Sequence, residues 1–242
     1  MKKKDTASSM SLSKYLAQAG LASRRKVVDL IEQGLVRVNK RIIKEPGYKL
    51  SETDTVTYLN KPVKVARKIY ILLNKPRNYI TTAADEQDRK TVLDLIDDSR
   101  IKNIRLYPIG RLDQDTTGLL ILTNDGDFAQ RLAHPRYNIQ KIYAVTLNKF
   151  LTFEHKASIE QGLALYDGSI KVDAITFMPP QAKNHVKVIL HSGKNRIVRR
   201  IFQHLGYEVK KLDRIGYAGL HKKGLPIGRW RYLTPLEIEN LK

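Results

Sequence analysis

Apolar positions along the chain alternate between helical and extended spacing, and the changes mark its elements. Leu12, Tyr15, Leu16 and Ala19 fall on one face of a short helix that ends at Gly20. Ser23 is placed to cap a second helix, with Val27, Leu30 and Ile31 as its stripe and Gly34 as its stop. Leu35 to Ile42 predicts two short strands about a turn at Asn39-Lys40. Lys61 to Arg67 is polar, contains Pro62 and is expected to be a linker. Beyond it, Ile69 to Leu73 predicts a strand running into Asn74-Lys75-Pro76, and Thr91 to Ile96 a short helix. Leu119-Leu120-Ile121-Leu122 is a continuous apolar run beside a glycine, the pattern of a buried strand. Ile142 to Thr146 alternates as a strand. From Arg196 to Gly206 the spacing is helical again, with Ile197, Val198, Ile201, Phe202 and Leu205 in one stripe. Arg196, Arg200 and Gln203 lie opposite that stripe, and Arg199 falls on its border.

The 242 residues suit one large domain, or one of about 175 residues plus a small module. Charge changes the picture more than length does. Lys and Arg number 44 against 24 Asp and Glu, a net charge of +20, which points to a polyanion partner. Residues 1–67 carry +9, residues 68–180 only +1, and residues 181–231 +11. Basic regions at both ends of a near-neutral body suggest a clamp on a phosphate backbone rather than a membrane-surface protein. With no cysteine, disulfides, thiolate zinc sites and cysteine nucleophiles are excluded. No apolar run is long enough to span a membrane, and the basic start has no apolar stretch behind it. A soluble, cytoplasmic protein is expected.

Two places hold candidate chemistry. Arg24, Arg25 and Lys26 occupy the first turn of the second helix, where cations oppose the helix dipole unless an anion sits beside them. Asp113 lies in a polar turn between Pro108 and Gly118, just before the buried run. A carboxylate there either caps the turn or serves a purpose. The six histidines show no H-E-x-x-H spacing, no G-x-S-x-G elbow occurs, and Gly193-Lys194 lacks the upstream glycine of a phosphate loop.

Ordered motifs carry a resemblance over nearly the whole chain. Ser13 to Ile43, with Ala22-Ser23-Arg24-Arg25, resembles the S4 domain, a module that grips structured RNA. Gly110-Arg111-Leu112-Asp113-x-Asp115-Thr116-x-Gly118-Leu119-Leu120 resembles the signature of the RsuA/RluB/RluE/RluF family of ribosomal RNA pseudouridine synthases. Lys75-Pro76, Thr123-Asn124-Asp125-Gly126, His134-Pro135 with Lys141-x-Tyr143, and Gly193-Lys194-Asn195-Arg196-x-Val198-Arg199-Arg200 fit the same family in order. Asn78 stands where a glycine is common, Ser192 where a glutamate is, and Ile197 where a glutamine is. The tail Gly224-Leu225-Pro226-x-Gly228-x-Trp230 and the Gly193-Lys194-Asn195-Arg196 motif are most similar to the RluB branch, which acts on large-subunit RNA.

The resemblance implies an α+β chain: an S4 domain over 10–60, a linker over 61–67, and a catalytic domain over 68–242 built on a mainly antiparallel sheet. It implies the isomerisation of uridine to pseudouridine in ribosomal RNA. A small-subunit enzyme and a non-catalytic assembly factor are the alternatives. The reaction breaks a C–N bond and forms a C–C bond to the same ribose without redox change or net hydrolysis, so no cofactor or metal is expected. Asp113 is implied as the carboxylate acting on the nucleoside, Arg199 as the cation that keeps it ionised, and Tyr143 as a ring against the uracil. Arg111 could fill the space left by a flipped base or bind its phosphate, and Lys75, Lys194, Asn195, Arg196, Arg200, Arg24, Arg25 and Lys26 are the other expected RNA contacts. The expected partner is ribosomal RNA or a pre-ribosomal particle, with no membrane, and the chain is expected to act as a monomer.

Overall fold

The computed structural model describes residues 10–180 and 183–242, which group into two compact units. The first takes the described residues up to Lys68 together with Arg100–Arg105; the second takes Ile69–Ser99 and Leu106–Lys242.

In the amino-terminal unit, helices Leu12–Gln18 and Arg24–Glu32 begin at Ser11 and Ser23. The two hydroxyls accept from the backbone N–H groups of Lys14 and Lys26, satisfying donors that a helix start leaves open. Leu12, Leu16, Val27 and Ile31 pack with Val36, Val38, Leu50 and Val56 into one core, while Leu30 is only half-buried. Strand Val36–Val38 pairs with Arg41–Ile42 and with Val56–Tyr58. Asn39 and Lys40 both take positive φ, 49° and 70°, the two-residue turn whose twist suits a hairpin. The expected linker starts too early. Lys61 and Pro62 pair with Tyr58 and Thr57, and the Tyr15 hydroxyl donates to the Val63 carbonyl at 2.9 Å. Proline is tolerated there because it sits on an edge strand.

Among the described residues of the second unit, nine strands form one sheet. Its main path runs Ala174–Phe177, His185–Leu190, Lys141–Leu147, Val209–Tyr217, Thr117–Thr123, Tyr70–Lys75 and Trp230–Tyr232. Pairing is antiparallel except where Val209–Tyr217 meets Thr117–Thr123, with Asp213 beside Thr117 and Arg214 beside Gly118. That junction explains the signature glycine. A Cβ on Gly118 would lie 2.3 Å from the Arg214 carbonyl oxygen, and its φ of +112° suits no other residue type. The apolar run Leu119–Leu122 is fully buried, and helix Gly126–Ala133 lays Phe128 and Leu132 against it. Thr123, Asn124 and Asp125 close the strand by bonding to the Ile69 carbonyl, the Ile69 N–H and the Tyr70 hydroxyl. The arrangement is α+β with a mainly antiparallel sheet. Among the described residues no helix is long and apolar enough to cross a membrane.

Candidate active site

Asp113 lies on the connection between the paired strands Tyr107–Ile109 and Thr117–Thr123. The main chain of this connection is held from beneath by Lys75. That side chain is fully buried, and its ammonium donates to the carbonyls of Thr116 (2.8 Å), Pro76 (3.0 Å), Asp113 (3.1 Å) and Gln114 (3.3 Å). Burial pulls the Lys75 ammonium down to about 8, against the opposing pull of the Asp115 and Asp113 carboxylates. Expected among the RNA contacts, Lys75 is instead an internal brace, out of reach of any phosphate. Two further ties fix the loop. The Thr81 hydroxyl donates to the Leu112 carbonyl at 2.7 Å, and the Asn78 N–H donates to the Gln114 carbonyl at 2.9 Å. Asn78 has φ +69°, so its place in a position favouring glycine is physically reasonable: asparagine tolerates the left-handed region best after glycine.

The basic helix arrives from the opposite side. It spans Ile197–His204, with Ile197, Val198, Ile201 and Phe202 buried, and begins one residue later than expected. Arg196 is its cap, held at φ +48°, rather than a member of its outer face. Its Nη1 donates to Asp113 Oδ2 at 3.2 Å. Arg199, expected to pair with Asp113, makes its short contact elsewhere: Nη2 lies 2.6 Å from Asp115 Oδ2. Its Nε stands 3.9 Å from Asp113 Oδ2, too long for a hydrogen bond, and this buried donor has no hydrogen-bond partner. Two arginines and two carboxylates therefore interlock, with Arg196 nearest Asp113. Arg200 and Lys194 both turn to Asp167, Arg200 at 3.0 Å and Lys194 at 3.8 Å, so neither is an unengaged phosphate contact. Arg111 and Asn195 are exposed, as are Arg24, Arg25 and Lys26 on the other unit.

Exposure separates the two arginines facing Asp113. The Arg199 side chain is 12% exposed and that of Arg196 is 48%. Arg199→Leu is therefore expected to lower the single-turnover rate at least about tenfold while leaving RNA affinity within about threefold, as for a group acting on another charge. Arg196→Leu is expected to weaken both. Equal losses of rate and affinity in Arg199→Leu would make Arg199 a phosphate contact.

Asp113 opens onto a cavity of about 180 Å³ whose lining also includes Tyr143, Lys141, His191, Arg214 and Tyr217. Tyr143 is 9% exposed and lies opposite Val188 and Arg214 on the neighbouring strands. The Lys141 ammonium donates to the Ile139 and His191 carbonyls at 2.9 and 2.8 Å, and burial, then the Arg214 charge, pull it down to about 8. His191 Nδ1 lies 2.8 Å from Asp173 Oδ2. Sequence reasoning gave Lys141, His191, Arg214 and Tyr217 no role. A signal did exist for Arg214: with Leu212 and Gly216 it occupies the inward positions of an alternating strand, where a charge is out of place.

Residues 69–204 match the family described as RNA pseudouridylate synthase, and residues 10–56 match the S4 domain. The chain belongs to the RNA pseudouridylate synthase family. Among similar proteins, the Bacillus subtilis ribosomal large subunit pseudouridine synthase B is 41% identical, covering 96% of this chain and 95% of that one. An uncharacterized RNA pseudouridine synthase of Aquifex aeolicus is 40% identical, covering 95% and 92%. A crystal structure of a pseudouridylate synthase superposes with a TM-score of 0.67 at 27% identity, covering 97% of this chain and all of that one. Asp113, Tyr143 and Arg196 line one cavity, and that cavity is the candidate active site.

Proposed function

We propose that this synthase converts uridine to pseudouridine in ribosomal RNA of the large subunit, as a cytoplasmic monomer. The observation that carries the reading is the loop of Asp113. Its backbone is pinned by a buried lysine, its carboxylate faces two arginines, and Tyr143 lies in the same cavity. The large-subunit assignment is supported by the name of the Bacillus subtilis relative.

In this reading Asp113 acts on the ribose carbon or assists its elimination, and Arg196 with Arg199 favours its ionised form. Tyr143 packs against the uracil and its hydroxyl handles a proton. The target base must leave its stack to reach the cavity, and exposed Arg111 at its rim holds the displaced strand. The S4 domain, over about 10–60, anchors the RNA through Arg24, Arg25 and Lys26, and residues from 68 onwards form the catalytic domain. Mapping pseudouridine in ribosomal RNA from cells with and without this gene tests the reading. A site in large-subunit RNA that disappears with the gene, and returns when purified enzyme acts on a transcript, is the expected result. An unchanged map together with an inert purified enzyme would overturn it.

The anchoring role has its own measurement. Replacing Arg24, Arg25 and Lys26 by alanine is expected to make the slope of log K against log salt shallower, by up to about 2 if all three touch phosphates of single-stranded RNA. An unchanged slope would show that the helix start does not face the RNA.

A further inference from the structure

The cavity floor contains a cation that the steps above do not use. Arg214 is 2% exposed, and its Nε donates to the Leu119 carbonyl at 2.7 Å. Its guanidinium carbon lies 4.4 Å from the centre of the Tyr217 ring. Nη2 is buried and has no hydrogen-bond partner, and among the described residues no carboxylate pairs with Arg214. Lys141, on the adjacent strand and lining the same cavity, gives two of its three N–H groups to carbonyls. A buried cation without a counter-charge and a buried donor without an acceptor are both unfavourable, and a substrate supplying both relieves them together.

Uracil has that chemistry. It carries two carbonyl acceptors, and it becomes negatively charged during the reaction. When the bond from C1′ to N1 breaks, its electron pair passes to the ring and spreads over the two carbonyl oxygens. The ring then turns, C5 uses that pair to bond to C1′, the C5 proton leaves, and N1 takes up a proton. Nothing is oxidised or reduced. A guanidinium at a carbonyl oxygen favours the stage at which the ring is detached, and helps to keep the free base in the cavity.

We propose that Arg214 holds the uracil ring, with Nη2 donating to one base carbonyl, and that Lys141 is a second donor on the same floor; this rests on the uridine isomerisation proposed above. Arg214 faces Tyr143 across the strand pair and Gly118 on the other side, so the same register that excludes a side chain at Gly118 positions the guanidinium.

The test pairs a protein change with a substrate change. Single-turnover rates are measured with the ribosomal RNA fragment that carries the mapped site, holding uridine, 2-thiouridine or 4-thiouridine at the target. Sulfur is the weaker acceptor, so the wild-type enzyme is expected to slow at least about tenfold on one of the two thio substrates. Arg214→Gln is expected to lower the rate on uridine by about 100-fold, the usual effect of removing one donor to a developing negative oxygen. Its RNA affinity should stay within about threefold, and the difference between thio and oxo substrates should vanish. Arg214→Lys, which keeps the charge, should recover part of the rate. A wild-type enzyme indifferent to both thio substitutions overturns the proposal, and so does a thio effect retained in full by Arg214→Gln. Should Arg214→Gln melt out, the wild-type thio comparison and Arg214→Lys decide the matter. A wild-type enzyme inert on uridine itself overturns the isomerase reading, an outcome distinct from active enzyme with additive effects.

Discussion

Asp113→Asn is expected to fold, to bind RNA as well as the wild type, and to form less than about one per cent of the wild-type pseudouridine in a single turnover. The change is nearly isosteric, and the loop does not depend on the carboxylate for its shape. Lys75, Thr81 and Asn78 hold the main chain of residues 112–116 through backbone groups, which asparagine retains. What disappears is the negative charge that faces Arg196 at 3.2 Å, and with it the group able to bond to or assist at the ribose. Losing an acid–base group alone costs about 100-fold to 10,000-fold, and losing a nucleophile costs more. The check is a single-turnover assay with saturating enzyme, beside a binding isotherm and a melting curve for both proteins. Residual turnover above about one per cent of wild type, with folding and binding intact, would remove Asp113 from the chemistry.

Much of this architecture is legible in the sequence, because the forces that set it are local. Ser23 precedes a helix whose apolar positions recur every three to four residues, as they do from Leu12 to Ala19, and both helices form there. Leu119–Leu122 is apolar without interruption because both faces of the strand are covered. What could not be read are the partners chosen by packing between distant segments. Asp113 and Asp115 are two residues apart in a loop, and no periodicity indicates which of them a helix arriving from residue 197 will meet. The structure gives Arg199 a short contact to Asp115 and leaves Arg196, displaced from the helix by its positive φ, closest to Asp113. Lys75 was misread for the same reason. A lysine beside Pro76 looks solvated in sequence, but Lys75 pairs with Gly118 in the register of strands Tyr70–Lys75 and Thr117–Thr123. That register turns the side chain beneath the loop, where its ammonium serves four carbonyls, one of them in a buried bond.

Lys75→Met should therefore damage stability and catalysis together, whereas Asp113→Asn affects catalysis alone. Methionine matches the length of the lysine stem but offers no donor to the carbonyls of Pro76, Asp113, Gln114 and Thr116. A buried acceptor left without a partner costs about 1–3 kcal/mol; the Thr116 bond is buried and the other three are part-buried and within reach of water, so a total loss of roughly 2–4 kcal/mol is expected. For a chain of this size that lowers Tm by about 4–16 °C. Activity should fall more than 100-fold even where the protein is folded, because the Asp113 backbone loses its brace and the carboxylate its fixed geometry. The pH dependence has a definite sign. Burial holds the folded Lys75 ammonium at about 8, below its ordinary 10.5, so the folded protein binds fewer protons than the unfolded chain between those values. The contribution of Lys75 to stability therefore rises with pH across that window and is smallest below it. Melting curves of wild type and Lys75→Met from pH 7 to pH 10 should show the gap between them widening. A gap that stays level from pH 7 to pH 10 would mean that Lys75 remains charged in the fold, with the carbonyls and the two carboxylates outweighing its burial.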